Sequence, residues 1–314
     1  MKTAILIPCY NEGQTIGKVV FDFIQEMPHA EIYVYDNNST DNTAAVVKEL
    51  MQECKQLHLR YEPRQGKGNV VRSMFRDIEA DCYIMVDGDD TYPASFGPIL
   101  EKEILENNVD MAIGDRLSST YFTENKRRFH NFGNVLVKNL VNKCFKADLH
   151  DIMTGARAFS RDFVKSYAIL CKGFEIETDM TIFALDNNFV LSEKPIEYRD
   201  RPDGSESKLN TIKDGTKVLM TIARLFRDVK PGEFFGIVSL ILGIISIGIF
   251  IPIFKEYLIT GLVRRFPTLI MMTILALSSM LSLICGIILS VLRRYHKTDF
   301  ERNLNIVRIN KSDT

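Results

Sequence analysis

The sequence is most informative at first for what it lacks. Among 314 residues there is no tryptophan, and 39 Lys and Arg against 40 Asp and Glu leave a formal net charge of -1. With no global field of either sign, nucleic acid is not an expected partner. The six cysteines (Cys9, Cys54, Cys82, Cys144, Cys171 and Cys285) form no C-x-x-C pair, and no chemistry is assigned to them. The first apolar run, in MKTAILIPCYNE, is too short for a secretory signal. The large N-terminal part is therefore expected in the cytoplasm, where thiols stay reduced. No G-x-G-x-x-G follows the first strand-like run, and RQGKGN (64–69) lacks the G-x-x-x-x-G-K-[ST] spacing. That excludes a dinucleotide-binding Rossmann domain and a P-loop. Internal repeats and low-complexity segments are missing as well.

Long uncharged runs are present, and there are two. Residues 234–254 and 266–292 contain no Asp, Glu, Lys, Arg or His. As a helix the first would be roughly 30 Å long, the thickness of a bilayer's hydrocarbon core. Both are expected to span a membrane, since two core helices of a soluble protein would need more apolar chain around them than remains. An even number of spans puts both ends on one side, and Arg224, Arg227, Lys230, Arg293, Arg294 and Lys297 flank the pair there. Two basic amphipathic stretches, 126–146 and 211–230, are candidates for helices lying in the headgroup region, where membrane lipids would be their partners. Four regions follow: a cytoplasmic domain over 1–209, a membrane-surface helix or linker over 210–233, a transmembrane hairpin over 234–292 and a cytoplasmic tail over 293–314.

The first 115 residues alternate strand-like and helix-like patterns. Strands are expected at 4–8, 31–36, 57–62, 82–87 and 110–115, with helices near 15–26, after 41 and over 68–78. Such alternation predicts an α/β fold with a mainly parallel sheet. In such sheets ligands bind beyond the carboxyl ends of the strands. PCYNE (8–12), DNNSTD (36–41) and DGDDTYP (87–93) each sit at such an end. The last carries three carboxylates, Asp87, Asp89 and Asp90, after a buried strand. Like charges that close raise one another's pKa unless something positive lies among them. A divalent cation holding a phosphate-bearing substrate would meet that need, with Asp87 and Asp89 as ligands and Asp90 either a turn residue or a group supporting the ligands from behind.

Four motifs in this order, PCYNE, DNNSTD, GKGN (66–69) and DGDD (87–90), resemble the family 2 glycosyltransferases, and the resemblance covers the whole soluble part. It implies the GT-A fold, a nucleotide-diphospho-sugar transferase domain, here followed by two C-terminal transmembrane helices. It also implies a nucleotide-sugar site made of Pro8, Tyr10, Asn11, Glu12, Asp36, Asn38, Lys67 and Asp87, with Mg²⁺ or Mn²⁺ on Asp87 and Asp89. DIMTGARAFSR (151–161), FEIETDM (174–180) and YRDRPDGSESKL (198–209) resemble the branch that transfers sugar to a polyprenyl phosphate, as dolichol-phosphate mannose synthases do. That branch includes bacterial members with two C-terminal spans.

The resemblance makes Asp89, Asp151 and Asp179 candidates for the reaction centre and Glu177 a candidate on the sugar side. A lipid phosphate needs cations, for which Arg116, Arg199, Arg201, Ser207 and Lys208 are the candidates. Ordinary readings compete: ion pairs on a solvated loop for Arg199 and Arg201, and an acidic helix N-terminus for FEIETDM. RQGKGNVVRSMFRDI and DGDDTYP look most like bacterial enzymes that use UDP-sugars, and that resemblance implies UDP-GlcNAc before UDP-glucose as donor and undecaprenyl phosphate as acceptor. A hydroxyl acceptor, or a non-catalytic scaffold, stays open as an alternative. A processive polysaccharide synthase does not, because its Q-x-x-R-W motif needs a tryptophan. Whether the spans associate into a homo-oligomer is left open.

Overall fold

The computed structural model describes residues 1–118, 138–143, 145–169, 171, 173, 175–199, 220, 223, 224 and 226–312. Strands β1 (Thr3–Cys9), β2 (Glu31–Asp36), β3 (Leu57–Tyr61) and β4 (Cys82–Met85) alternate with helices α1 (Ile16–Glu26), α2 (Thr43–Leu50) and α3 (Lys67–Asp77). There follow α4 (Phe96–Leu105), β5 (Met111–Asp115), β6 (Arg157–Ser160), α5 (Arg161–Ser166), α6 (Ile176–Asp186) and β7 (Leu191–Pro195). One seven-stranded sheet collects all the described strands in the order β3-β2-β1-β4-β6-β5-β7. β6 runs antiparallel to β4 and β5, and every other neighbouring pair is parallel.

Burial on both sides explains the unbroken AILIP run of β1. Ile5 and Ile7 pack into a cluster with Val19, Val20 and Phe23 of α1 and with Phe96 and Leu100 of α4. The intervening Ala4 and Leu6 are also fully buried. A strand covered on both faces reads as continuous rather than alternating hydrophobicity. An aromatic group forms a second cluster, with Phe159 of β6 stacked on Phe163 of α5 at 5.1 Å and meeting Phe75 of α3 edge-on at 5.6 Å.

This topology makes the crevice. β2 lies on one side of β1 and β4 on the other, so strand addition reverses direction at β1, the place where open α/β sheets take their ligands. The antiparallel β6 adds something the sequence did not announce. Its first residue, Arg157, is the partner of Met85 at the carboxyl end of β4. The loop before β6 therefore lies at the same end of the sheet as DGDD.

Two long helices follow, α7 (Pro231–Thr260) and α8 (Phe266–Ser312), both long and apolar enough to cross a membrane. Leu240, Ile244, Ile247, Leu277, Leu281 and Ile288 are exposed along them, which a helix of a soluble core would not be. The segment from residue 293, expected as a tail, continues α8 without a break. By their contacts residues 1–222 with 303–314 form one compact unit and 223–302 a second. Of the two amphipathic stretches expected over 126–146 and 211–230, most lies outside the described residues.

Within the second unit the two helices are joined by polar contacts in an apolar setting. Ser279 Oγ donates to the Ser239 carbonyl at 2.8 Å, Ser282 Oγ to that of Phe235 at 3.0 Å and Ser246 Oγ to that of Met272 at 3.0 Å. A side chain at Gly286 would begin 3.0 Å from Phe235 Cβ, closer than packed carbons come. Substituting Gly286→Val is expected to overpack the hairpin and cost about 1–3 kcal/mol. Ser279→Ala removes one hydrogen bond and is expected to cost only ~0.6 kcal/mol. Unfolding of the two variants in detergent micelles checks the ranking.

Candidate active site

Short side chains lock the loops after β1 and β2 together. Asn11, with φ +55°, donates its backbone N–H to Ser39 Oγ at 2.9 Å, and its side-chain oxygen accepts the Thr40 N–H at 2.7 Å. The Glu12 N–H donates to Thr43 Oγ1 at 2.9 Å, and its carbonyl accepts the N–H groups of Thr15 and Ile16 at 3.0 and 2.9 Å, which starts α1. Asp36, nearly buried at the end of β2, accepts the Ser39 N–H at 3.2 Å. Pro8 lies half-buried in β1, and Tyr10 is exposed just beyond its end. Pro8, Tyr10, Asn11, Glu12 and Asp36 thus share one end of the sheet.

The residue between two predicted ones organises the next loop. Asn37 donates to the carbonyls of Glu62 and Arg64, both at 2.8 Å, and accepts the Gly66 N–H at 2.7 Å. It thereby fixes the turn from which Lys67 starts α3. Asn38, expected at the nucleotide, has φ +62° and donates to the Pro63 carbonyl at 2.7 Å. A paired Asn-Asn after a strand was the available signal, and it did not say which one faces inward.

At the centre lies Lys67. Its Nζ is 2.5 Å from Asp87 Oδ1 and 2.6 Å from Glu177 Oε1 of α6. Burial opposes charge on this amine, but the two carboxylates outweigh it and hold its pKa above the ordinary lysine value. Gly155 closes the other side of Asp87: a Cβ there would meet the Asp87 carboxylate and force it to shift. The structure thus brings Lys67, Asp87 and Glu177, expected from three separate motifs, onto one ammonium.

Each remaining acid of DGDD has its own partner. Asp89, almost fully buried, accepts the Thr91 hydroxyl at 2.6 Å. Asp90, with φ +57°, is a turn residue, one of the two roles expected for it; it takes Lys18 Nζ at 2.7 Å and has Arg199 at 4.0 Å. The Arg199 N–H donates to the Thr91 carbonyl at 2.9 Å, so the start of the basic segment is stitched to the acidic loop.

Two other expected residues prove to be partners. The Arg116 guanidinium donates to Asp151 Oδ2 at 2.8 Å and to the Met153 carbonyl at 3.1 Å, and lies 5.9 Å from the Tyr198 ring centroid. Asp151 is 1% exposed, so this pair is largely desolvated. Asp179 stands apart from Lys67: Tyr167 donates to it at 2.5 Å, and burial pushes its carboxyl above the usual range against that hydrogen bond. Arg201, Ser207 and Lys208 lie outside the described residues. Arg157, inside the DIMTGARAFSR motif but assigned no role from the sequence, is completely buried. An arginine inside an otherwise apolar strand, GARAF, was its signal.

Among the described residues no three His, Cys, Asp or Glu side chains converge as a self-sufficient metal cage. A hard cation bound with a phosphorylated substrate takes only one or two carboxylates from the protein, the phosphates filling further positions. Asp87 and Asp89 fit that partial set: both offer oxygen, and each is oriented by a neighbour, Lys67 or Thr91.

With this geometry in place the comparisons with known proteins are specific. Residues 4–168 match the family described as Glycosyl transferase family 2, and the chain belongs to it. It is 28% identical to Glycosyltransferase AglJ of Haloferax volcanii over 95% of this chain and 96% of that protein. It is 26% identical to a Dolichol-phosphate mannosyltransferase of Pyrococcus furiosus over 76% and 67% of the two chains. Among solved structures, glucosyl-3-phosphoglycerate synthase of Mycobacterium tuberculosis with Mn²⁺ and UDP-glucose aligns at a TM-score of 0.56, covering 70% of this chain and 78% of that one at 15% identity. The fold is accordingly GT-A, and the protein is a glycosyltransferase.

Lys67→Met would leave two carboxylates facing each other without their cation, an expected loss of about 3–5 kcal/mol. Adding Glu177→Gln should recover part of it; thermal unfolding of both variants gives the comparison. Glu62 supplies a pH marker. Arg64 grips both its oxygens at 2.7 and 2.9 Å, and chiefly for that reason its pKa falls to about 2. A depressed carboxyl stabilises the fold above its unfolded value of 4.5, and that stability is lost as pH drops from there towards 2. Glu62→Gln should flatten that part of the stability–pH curve.

Proposed function

We propose that this enzyme transfers a sugar from a nucleotide diphosphosugar to a polyprenyl phosphate, leaving a lipid-linked monosaccharide for use in cell-envelope glycans. One observation carries the reading: a single chain joins a GT-A crevice, with Lys67 shared by Asp87 and Glu177, to two helices of membrane-spanning length. A lipid phosphate lies at a membrane surface, so an enzyme that uses it gains from being anchored there. The relatives support the acceptor class, since they include a Dolichyl-phosphate hexose transferase of Haloferax volcanii, 25% identical over 71% of this chain. The neighbours solved with UDP-glucose support a UDP-linked donor. Within that class UDP-GlcNAc is our first choice and UDP-glucose the second, with undecaprenyl phosphate as the lipid. Both helices span the membrane, and the catalytic domain faces the cytoplasm.

The mechanism follows from the acceptor. A phosphate monoester has its second pKa near 6 and is already largely dianionic at neutral pH. It attacks the anomeric carbon without a dedicated general base, and direct displacement inverts the configuration there. Pro8, Tyr10, Asn11, Glu12, Asp36 and Asn38 hold the nucleoside. Lys67, kept charged by Asp87 and Glu177, supplies positive potential where the diphosphate lies. Asp87 and Asp89 would hold Mg²⁺ or Mn²⁺, which neutralises charge developing on the departing nucleoside diphosphate. Arg199, half-exposed beside the acidic loop, receives the acceptor phosphate together with Arg201, Ser207 and Lys208. Arg116 acts there through Asp151, which fixes its guanidinium, and Asp179 orients groups on the sugar side.

The test is transfer of radiolabel from a panel of UDP- and GDP-sugars to undecaprenyl phosphate in membranes containing the protein, with and without Mn²⁺ or Mg²⁺. A metal-dependent, organic-soluble product from one donor is expected. Asp89→Ala should lower its rate by on the order of 10³-fold, equivalent to the several kcal/mol a metal supplies. Label transferred only to a hydroxyl acceptor would overturn the lipid-phosphate reading.

A further inference from the structure

The loop from Asp151 to Gly155 is held by two arginines that divide its residues between them. Arg116 takes the odd positions, the Asp151 carboxylate and the Met153 carbonyl. Arg157 takes the even ones: its Nη2 donates to the Ile152 carbonyl at 2.5 Å and its Nε to that of Thr154 at 3.1 Å. The next residue, Gly155, packs against Asp87. On its other side the Arg157 guanidinium donates through Nη1 to Thr181 Oγ1 at 2.8 Å, with Met111 Sδ at 3.5 Å. Thr181 Oγ1 in turn donates to the Glu177 carbonyl at 2.9 Å, one turn earlier on α6. A ring of contacts closes: Asp87, Lys67, Glu177, Thr181, Arg157, Thr154, Gly155 and Asp87 again.

Arg157 is the unusual member of this ring. It is 0% exposed, and the groups its nitrogens bond are neutral: two carbonyls, a hydroxyl and a thioether. Burying a guanidinium among neutral acceptors is costly, and a core needing only volume would be better served by an apolar side chain. What the planar fork provides is several N–H groups at fixed angles, here aimed at both the loop that seats Asp87 and the helix that carries Glu177.

We infer that Arg157 is a positioning residue for the donor site, setting the spacing at which Asp87 and Glu177 share Lys67 and so the aim of Asp87 at the metal and diphosphate. The inference rests on the donor-site reading above. Residues that orient a metal's ligands without touching the metal change its affinity by about 10–100-fold when replaced. Arg157→Lys keeps the charge and loses the fork, and Thr181→Val cuts the link to α6 at nearly constant volume.

The experiment is calorimetric titration of UDP, in the presence of Mn²⁺, into the purified full-length protein and both variants in detergent, with unfolding temperatures measured in parallel. Binding about tenfold weaker in Arg157→Lys and about threefold weaker in Thr181→Val, at full stoichiometry, is expected. Should Arg157→Lys not fold, Thr181→Val decides alone. Unchanged affinity, with only a lower unfolding temperature or fewer binding-competent molecules, would reduce Arg157 to a structural role and overturn the inference. If the unaltered protein itself binds no UDP with Mn²⁺, the donor-site reading fails and this inference with it.

Discussion

The crevice depends on one ammonium group. A strand that ends in three acids, with a fourth carboxylate arriving from α6, would push its own charges apart; Lys67 lies between two of them and makes the arrangement tolerable. The remaining acids are separated by chemistry. Asp89 is oriented by a hydroxyl, and Asp90, in a left-handed backbone conformation, is balanced by Lys18 and Arg199. The negative charge of DGDD is thus not a single patch. It is three carboxylates in three environments.

The two units of the chain present opposite surfaces. In the catalytic domain, apolar side chains are withdrawn beneath the sheet's helices and polar loops gather at one end of it. In α7 and α8 the arrangement is reversed: apolar residues point outward, and the serines bond between the helices. Outside a bilayer such a surface would drive aggregation. Inside one, the serine hydrogen bonds and the close approach at Gly286 are what hold two helices together, since lipid is as apolar as they are.

Much of this was legible in the residues because the signals were local. Strand-helix alternation located β1 through β5, and polar clusters at strand ends located the crevice. What escaped was non-local. β6 is four residues long and carries a charge, so no periodicity marks it, and its antiparallel pairing depends on β4 and β5 more than seventy and about forty residues earlier. Motif reading placed Lys67, Asp87 and Glu177 in one site without showing that a single cation joins them. It likewise took Arg116 and Asp151 as separate actors, because a spacing of 35 residues says nothing about an ion pair. Nor did the paired Asn-Asn after β2 reveal that Asn37 binds the loop leading to α3, since its partners lie some 25 to 29 residues further on.

The antiparallel strand also sets an order of events. β6 lies between β4 and β5 in the sheet yet follows both in the chain, so neither can complete its pairing until residues 157–160 have been made. Until then β4 keeps an open edge, and Asp87 lacks the loop that will seat it. Closing so long a span is slow compared with forming the local strand-helix units before it. During synthesis the sheet is therefore joined late by an interior strand, and the edge strand β7 is the last to be added. All seven described strands have been made before the first residue of α7, whereas residues 303–314, which belong to the same compact unit, come only after both long helices.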